Sequence, residues 1–286
     1  MSLSIFRRIL GVNLLFCGIH LRGRMNMRQL VLLKDIPDLT EITIDSETRR
    51  PKTEGIKRKI SDLDKRALEA AIQTKDKVGG EVTVLSMGDE KTKTALLEAL
   101  AMGADSAYIV IEPELKKVDT NATSKVLEAA IRKIGEYDAI ISGEMTLDSL
   151  SSQIGPRLAE LLDHPQVTYV KKYELSDGSV TAERDLETLD EVVEASLPAV
   201  ITVVREINEP RIPSLMNIMK AKKKPQTVWA LTDLGLTLDE VKSWSHVKII
   251  DVTAPKVSRK QIKIEADSID EAAVKLAAAI REEGVL

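Results

Sequence analysis

Short apolar runs alternate with longer amphipathic stretches between residues 29 and 162, and this alternation constrains the fold more than any other feature of the sequence. The runs span six to eight residues, a length typical of strands that are buried on both faces of a sheet. Helix signals frame the stretches between them, because Ser61 precedes the first helix and Gly103 follows the second. The pattern predicts strands at 29–34, 81–88, 106–111 and 137–143, helices at 61–80, 90–102 and 119–135, and a fourth helix that ends near Leu162.

The second half of the chain has a different pattern. Residues 167–204 contain strand-like runs around Ser-Asp-Gly at 176–178, a turn signal that predicts an antiparallel hairpin. Residues 205–229 hold three prolines and a short helical stretch that ends in lysines, which indicates an arm leaving a globular body. Further strands are predicted at 228–231 and 247–252, and a last helix at 269–284.

Strands that are joined by helices form a parallel sheet covered on both faces. The predicted fold class is therefore α/β: a Rossmann-like, mostly parallel sheet with helices on both faces, an antiparallel extension and a projecting C-terminal arm. Ligands bind such sheets where the carboxyl ends of strands meet helix N-termini. The predicted divisions are an extension at 1–26, an α/β domain at 27–205, the arm at 206–235, and a tail with a strand and a helix at 236–286.

Residues 1–26 differ from the rest of the chain. Two arginines precede an apolar run, as in a signal peptide, but polar residues interrupt the run and no small-residue cleavage site follows. The run is also too short to span a bilayer. We expect an extension outside the fold, with the domain opening near Met25 or Met27. The alternative is an amphipathic segment that lies on a membrane surface.

Composition excludes several functions. A net charge of −4 and an aromatic content of 3% argue against nucleic-acid binding, which needs basic and stacking surfaces. The single cysteine, Cys17, rules out a disulfide within the chain, and the three scattered histidines form no metal-binding pattern. The chain also lacks GxSxG, Walker and GxGxxG motifs. A ligand-binding site therefore fits the sequence better than an acid–base catalytic one.

The stretch GEMTLDSLSSQIGPRLAELL, residues 143–162, gathers small polar groups in front of a helix. The first N–H groups of a helix lack partners and carry partial positive charge, so they favour anions such as phosphate. Ser151, Ser152 and Gln153 add further donors, and Asp148 offers an acceptor for a ribose hydroxyl. A second interpretation has equal weight, in which Ser151 or Ser152 only caps the helix.

Six segments, taken in order and at their spacing, carry a resemblance that covers about residues 27 to 235. They are KDIPD (34–38), SDLDKRALEAA (61–71), GGEVTVLSMG (79–88), ALAMGAD (99–105), LPAVITV (197–203) and INEPRIPSLMNIMKAKKK (207–224). On these segments the chain resembles the beta subunit of electron transfer flavoproteins. The combination of ALAMGAD with NEPR and IMKAKKK is the most specific part of the match.

The resemblance implies a heterodimer with an alpha subunit that carries a flavin. It also implies a nucleotide pocket in the beta subunit, which holds AMP in simple electron carriers and a second FAD in the bifurcating, nitrogen-fixation-associated branch. We expect FAD, and a function in passing electrons between NADH or dehydrogenases and quinone- or ferredoxin-type acceptors. Such a protein is expected to be cytoplasmic, to reach the membrane only through its partners, and to act as an oxidoreductase only within a larger complex.

The resemblance also implies roles for particular residues. The backbone N–H groups of Ser152, Gln153 and Ile154 are expected to bind phosphate, with Asp148 and Ser149 near the ribose. Leu215 is expected to dock into an apolar pocket on a partner dehydrogenase or quinone oxidoreductase. The expected nucleotide-binding residues are Leu32, Ser61, Asp62, Leu63, Asp64, Met87, Gly143, Asp148, Ser149, Ser151, Ser152, Gln153 and Ile154.

Two departures from the family pattern concern the ligand. Ser61-Asp62 stands where relatives usually have Asn-Pro, and Leu150 stands where bifurcating members often carry an acid. KDIPD, with Arg49 or Arg50 before Gly55 in the following loop, favours the bifurcating branch and hence FAD over AMP. Two other hypotheses stay open: a stand-alone adenine-nucleotide sensor, and a structural subunit with an empty pocket.

Overall fold

The computed structural model describes residues 26–256 and 259–284, so the predicted extension lies outside the described residues apart from its last position. The described chain forms two compact units. One unit reaches Ile42 and continues over Thr53–Ile250, and the other combines Thr43–Lys52 with the chain from Asp251 onward.

Strands and helices alternate between residues 58 and 162, as the sequence predicts, and consecutive strands follow this region. The strands are β1 (Met27–Leu33), β2 (Asp35–Pro37), β3 (Thr43–Ile44), β4 (Pro51–Lys52), β5 (Arg58–Ile60), β6 (Gly80–Gly88), β7 (Ser106–Ile111), β8 (Ala139–Gly143), β9 (Gln166–Ser176), β10 (Ser179–Leu186), β11 (Leu189–Ser196), β12 (Ala199–Val203) and β13 (Gln226–Trp229). The helices are α1 (Asp62–Val78), α2 (Thr92–Met102), α3 (Thr120–Ile134), α4 (Ile154–Leu162), α5 (Leu215–Ala221), α6 (Leu238–Ser243) and α7 (Ile269–Glu282).

Within the described residues, nine strands form the main sheet in the order β11-β10-β9-β12-β8-β1-β6-β7-β13. The strands from β9 to β13 in this order pair in parallel. Strands β9, β10 and β11 are antiparallel, and β9 turns into β10 at the predicted Ser-Asp-Gly. The α/β fold with a mostly parallel sheet and an antiparallel extension is therefore confirmed.

Apolar side chains on both faces of the central strands build the core. Val31 and Leu33 of β1 pack with α1 and α2 on one face, whereas Leu30 and Leu32 pack with α3 and α4 on the other. Burial of such a side chain stabilises the fold by about 1.5–3 kcal/mol. The continuous apolar runs in the sequence thus indicate a sheet that is covered on both faces.

Two segments differ from the sequence prediction. The apolar run 247–252 forms no strand, and its side chains, such as Ile249 and Ile250, are exposed. A strand needs a neighbour to take its backbone N–H and C=O groups, and no described strand pairs with this run. The predicted loop at 35–60, in turn, contains β2 and β5, which pair with each other. The ion pair between Arg58 Nε and the buried Asp35 Oδ2, at 2.6 Å, joins them.

The second unit contains the short β3–β4 pair and the predicted C-terminal helix. The hydroxyl of Ser268 caps α7 by accepting the N–H of Glu271. An ion pair at 3.1 Å joins Arg50 to Asp251. In the described ranges, no helix combines the length and the hydropathy needed to cross a lipid bilayer.

Candidate functional site

The chain changes its direction of travel across the sheet at β1. After β1 it moves through β6 and β7 on one side, and then returns to β8 on the other side of β1. Adjacent loops at such a point leave in opposite directions and open a crevice at the carboxyl ends of the strands. The crevice lies where β1 ends at Leu33 and β8 ends at Gly143.

The carboxylate of Asp64 fixes the floor of this crevice. It accepts the backbone N–H of Lys34 at 2.8 Å and that of Gly143 at 3.0 Å, so one side chain of α1 ties together the ends of β1 and β8. Asp64 is buried. Burial raises the pKa of this carboxyl to about 7, although the two N–H donors and the Lys34 charge act in the opposite direction.

Ser61 occupies the cap position of α1 but does not cap it. No hydrogen bond to its side chain caps the helix, and its buried Oγ has no partner among the described residues. The backbone N–H of Ser61 instead donates to the carbonyl of Lys34 at 2.9 Å. Asp64 accepts N–H groups at the ends of β1 and β8. The expected capping role of Ser61 is therefore wrong, because the helix start is anchored to β1 through its backbone.

Two glycines permit close backbone approaches around the crevice. A Cβ at Gly143 would lie 2.7 Å from the Cβ of Leu63 and 2.8 Å from Asp64 Oδ1. A Cβ at Gly155, in the first turn of α4, would lie 2.3 Å from Cγ2 of Thr202 on β12. Both contacts are far shorter than van der Waals distance. Glycine at these positions therefore sets how closely α1 and α4 approach the sheet.

The loop after β8 folds back over the end of β1. Lys34 Nζ contacts Asp148 Oδ2 at 2.7 Å, which joins the two loops across the crevice. The carbonyl of Thr146 accepts the N–H of Leu150 at 2.8 Å and closes a turn. Leu150 and Ser152 both have positive φ, 50° and 51°, an uncommon backbone conformation for these residue types. Such strain is found most often at ligand sites.

The helix that follows this loop has no side-chain cap. It begins at Ile154, so Gln153 takes the cap position, and the expectation that Ser151 or Ser152 caps the helix is wrong. The Gln153 side chain is occupied elsewhere, because its Oε1 accepts Thr120 Oγ1 at 2.6 Å and Arg157 Nε at 3.2 Å. In the described chain, nothing accepts the backbone N–H groups of Ser152, Gln153 or Ile154. These donors are the ones an anion at a helix N-terminus would use.

The other expected binding residues differ from one another in solvent exposure. Leu32 is buried within β1, and Met87 is partly buried near the end of β6. The half-exposed side chain of Asp62 pairs with Lys59 at 3.2 Å. The hydroxyl of Ser149 lies 2.9 Å from that of Thr146.

Sequence reasoning missed two charged residues that directly follow central strands. Lys34 follows β1 and pairs with Asp148. Glu144 follows β8, is buried, and accepts the N–H of Tyr169 at 3.0 Å and the hydroxyl of Thr202. Glu144, Ser152 and Tyr169 line an open cavity of about 440 Å³. The position of Lys34 and Glu144 immediately after apolar strands is the sequence signal that could have identified them.

Leu215 begins α5, and its side chain is 84% exposed. Ile212, Met216 and Met219 are exposed beside it in the sequence, whereas Ala221 at the end of the helix is buried and packs in the core. Leu215 is therefore not packed against its own helix. An exposed apolar group of this kind is a feature of interaction surfaces.

Comparison with known families matches the region that contains these features. The family profile described as electron transfer flavoprotein domain matches residues 52–234, which is more than half of the chain. This match assigns the chain to the class of electron transfer flavoproteins.

Similar proteins from several bacteria make the assignment narrower. The electron transfer flavoprotein subunit beta of Thermoanaerobacterium thermosaccharolyticum is 41% identical over 235 residues, covering 82% of this chain and 90% of the relative. A subunit of the caffeyl-CoA reductase-Etf complex of Acetobacterium woodii, CarD, is 39% identical over 74% of this chain and 81% of its own. Protein FixA of Azotobacter vinelandii is 33% identical, over 83% of this chain and 88% of the relative. The chain therefore belongs to the electron transfer flavoprotein family, among its beta subunits.

Proposed function

We propose that the crevice between β1 and β8 binds the phosphate-bearing part of an adenine nucleotide, and that FAD rather than AMP is this nucleotide. The observation that carries the proposal is the set of N–H groups without acceptors at Ser152, Gln153 and Ile154, which begin α4 beside strand ends fixed by Asp64. N–H groups without acceptors at a helix N-terminus are the donors that phosphate groups use.

Each part of the crevice has a role in this proposal. The N–H groups at the start of α4 hold the phosphates, and the Ser151 hydroxyl adds a donor. Asp148 and Ser149 lie near the ribose, and Lys34 orients the Asp148 carboxylate through their 2.7 Å contact. Leu32, Met87 and the start of α1, from Ser61 to Asp64, form the walls around the rest of the nucleotide. A bound flavin supplies the electron-carrying chemistry, while the protein binds and orients it.

Relatives support the preference for FAD over AMP. CarD is named as a subunit of a caffeyl-CoA reductase-Etf complex, and its likeness to this chain, with that of FixA, favours the bifurcating branch. In this proposal the chain pairs with an alpha subunit in the cytoplasm and passes electrons between NADH or a dehydrogenase and a quinone- or ferredoxin-type acceptor. Leu215 docks on the partner protein. The chain reaches the membrane only through such partners.

The nucleotide content of the heterodimer tests this proposal. We expect the chain, co-purified with its alpha subunit, to release two FAD molecules per heterodimer after acid treatment and chromatography. One FAD and one AMP would identify a simple carrier and refute FAD in this crevice. Release of a single FAD with no second nucleotide would indicate a structural subunit with an empty pocket. A chain that stays monomeric and colourless beside the alpha subunit would indicate a nucleotide sensor instead.

Replacement of Gln153 by glutamate separates an anion site from an ordinary helix start. Glutamate keeps the two hydrogen bonds that Gln153 Oε1 accepts, and a carboxylate at a helix N-terminus is itself favourable by about 0.3–1 kcal/mol. We therefore expect the ligand-free Gln153→Glu variant to be as stable as the wild type. Its affinity for AMP, measured by calorimetry, should fall about tenfold or more, because the new charge repels phosphate.

Gln153→Ala is the control for loss of the Gln153 side chain, since it removes the two hydrogen bonds that the glutamate variant keeps and adds no charge. Its affinity for AMP should stay within about threefold of the wild-type value. Equal affinities for the glutamate variant and the wild type would show that no phosphate binds at this helix N-terminus.

A further inference from the structure

An exposed apolar segment, residues 212–219, lies between two positively charged side chains that contact the body of the first unit. Its exposed members are Ile212, Leu215, Met216 and Met219. Arg211 precedes the segment, and Lys224 follows it after the end of α5. Since isolated short helices are marginal in water, tertiary contacts must hold the segment in place. Ile218 within it packs against the core, and polar contacts fix its two ends.

Arg211 attaches the start of the segment to α1. Its Nε donates to Glu69 Oε2 at 2.8 Å, one terminal nitrogen donates to Glu69 Oε1 at 3.1 Å, and the same nitrogen contacts Asp76 at 3.1 Å. The backbone N–H of Arg211 also donates to Glu69 Oε2, at 3.2 Å. The Glu69 side chain is only 4% exposed, whereas the Arg211 side chain is 38% exposed, so the carboxylate is buried and the guanidinium reaches the surface. One buried carboxylate thus fixes both the backbone and the side chain of Arg211.

Contacts just before Arg211 reinforce this attachment. Asn208 Nδ2 donates to the backbone carbonyl of Arg66 at 3.0 Å, one turn before Glu69 on the same helix. The Arg66 guanidinium, which is largely buried, contacts Glu209 at 3.1 Å. The approach to the segment is therefore held along α1 at several points.

Lys224 attaches the other end to α2. Its Nζ donates to the carbonyl oxygens of Leu100 at 2.9 Å and Ala104 at 2.5 Å, at the C-terminal end of that helix. A cation is favourable there because the last carbonyls of a helix carry partial negative charge. Ala221, three residues earlier, is fully buried and packs in the core.

We propose that Arg211 and Lys224 are positioning residues that hold the apolar segment in its partner-binding conformation. The partner is an electron-donating or electron-accepting protein with an apolar pocket, and the inference rests on the docking role proposed above for Leu215. Because the segment is fixed before binding, little conformational entropy is lost on docking. The bidentate geometry of Arg211 matters as well as its charge, and lysine cannot reproduce that geometry.

Arg211→Gln and Glu69→Gln, made in the full chain and studied as the heterodimer, test the proposal. The probe is a purified acyl-CoA dehydrogenase that reduces the wild-type heterodimer. We expect KM for the heterodimer to rise about tenfold in each variant, with kcat and nucleotide content unchanged. Amide hydrogen exchange over 212–219 should accelerate about tenfold in the free heterodimer. The double variant should be no worse than either single variant, because the two residues act as one unit.

Controls separate this inference from the docking proposal. Lys171→Gln removes the ion pairs of Lys171 with Glu183 and Asp190 on the antiparallel extension, far from the segment in the sheet order, and should change neither readout. Arg211→Lys keeps the charge and should give an intermediate KM at an unchanged melting temperature, which covers the case in which the glutamine variant folds poorly. If Leu215→Ala raises KM but Arg211→Gln and Arg211→Lys do not, the positioning role is wrong and docking stands. If Leu215→Ala leaves KM unchanged, the docking proposal is wrong, and the positioning role with it.

Discussion

Replacement of Gly143 by alanine should destabilise the ligand-free chain by about 1–3 kcal/mol and abolish nucleotide binding, because the added methyl group has no space. It would meet the Leu63 backbone and side chain and Asp64 Oδ1 at less than 3 Å. The end of β8 and the start of α1 would have to separate, which breaks the hydrogen bond from Gly143 N–H to Asp64. Urea unfolding and the nucleotide content of the purified heterodimer measure the two effects.

Gly178→Ala distinguishes loss of stability from loss of the site. Gly178 lies in the β9–β10 turn with φ of 77°, and a Cβ there would meet no other atom within 4 Å. Alanine should therefore cost about 1 kcal/mol through backbone strain alone and leave the nucleotide content unchanged. If Gly143→Ala retains its nucleotide at wild-type level, the crevice between β1 and β8 is not the binding site.

Asp64 should make the stability of the ligand-free chain depend on pH. Its folded pKa of about 7 lies above the unfolded value of about 3.9, so the folded state holds the proton over a wider range. The stabilising contribution of this carboxyl is complete below about pH 4 and is lost as the pH rises through about 7. Over that interval the free energy of unfolding should fall by up to about 1.4 kcal/mol per pH unit on account of this group.

Asp64→Asn should flatten this part of the pH profile. Asparagine does not titrate, and its single oxygen can serve only one of the two N–H donors, so the variant should be about 1–3 kcal/mol less stable at pH 4. The difference from the wild type should shrink toward pH 7. Urea unfolding of both proteins at pH 4, 5, 6 and 7 measures it, and other titrating groups cancel in the comparison. A difference that stays constant over this range would mean that the two N–H donors keep Asp64 ionised throughout.

The sequence predicts the sheet well because burial on both faces leaves a continuous apolar signal. Strands such as β1 and β8 are visible in this way, and the antiparallel hairpin is visible through its turn residues. The strands β2 and β5 are only three residues long and are defined by their pairing with each other rather than by any local pattern. The run 247–252 shows the reverse case, since its composition favours a strand but no described strand pairs with it.

The details of the crevice were harder to predict than its location. The stretch 143–154 was identified from its small polar residues and its place after the fourth predicted strand. Its internal contacts depend on which groups the folded chain brings together. Asp64 accepts N–H groups from two strand ends that are 109 residues apart, Lys34 and Gly143, and so it does not bond back to its own helix start. No spacing rule along one helix could reveal this choice.

Strand β13 covers the edge of the main sheet. It covers the outer side of β7 through a parallel pairing from Gln226–Ala107 to Trp229–Val110, and Trp229 contacts Tyr108 with ring centroids 4.8 Å apart. A shortened chain that stopped before β13 would leave the backbone groups of β7 open to other molecules. Unprotected strand edges of this kind recruit further copies of the same protein. Strand β13, within the predicted arm, thus protects the isolated subunit against aggregation.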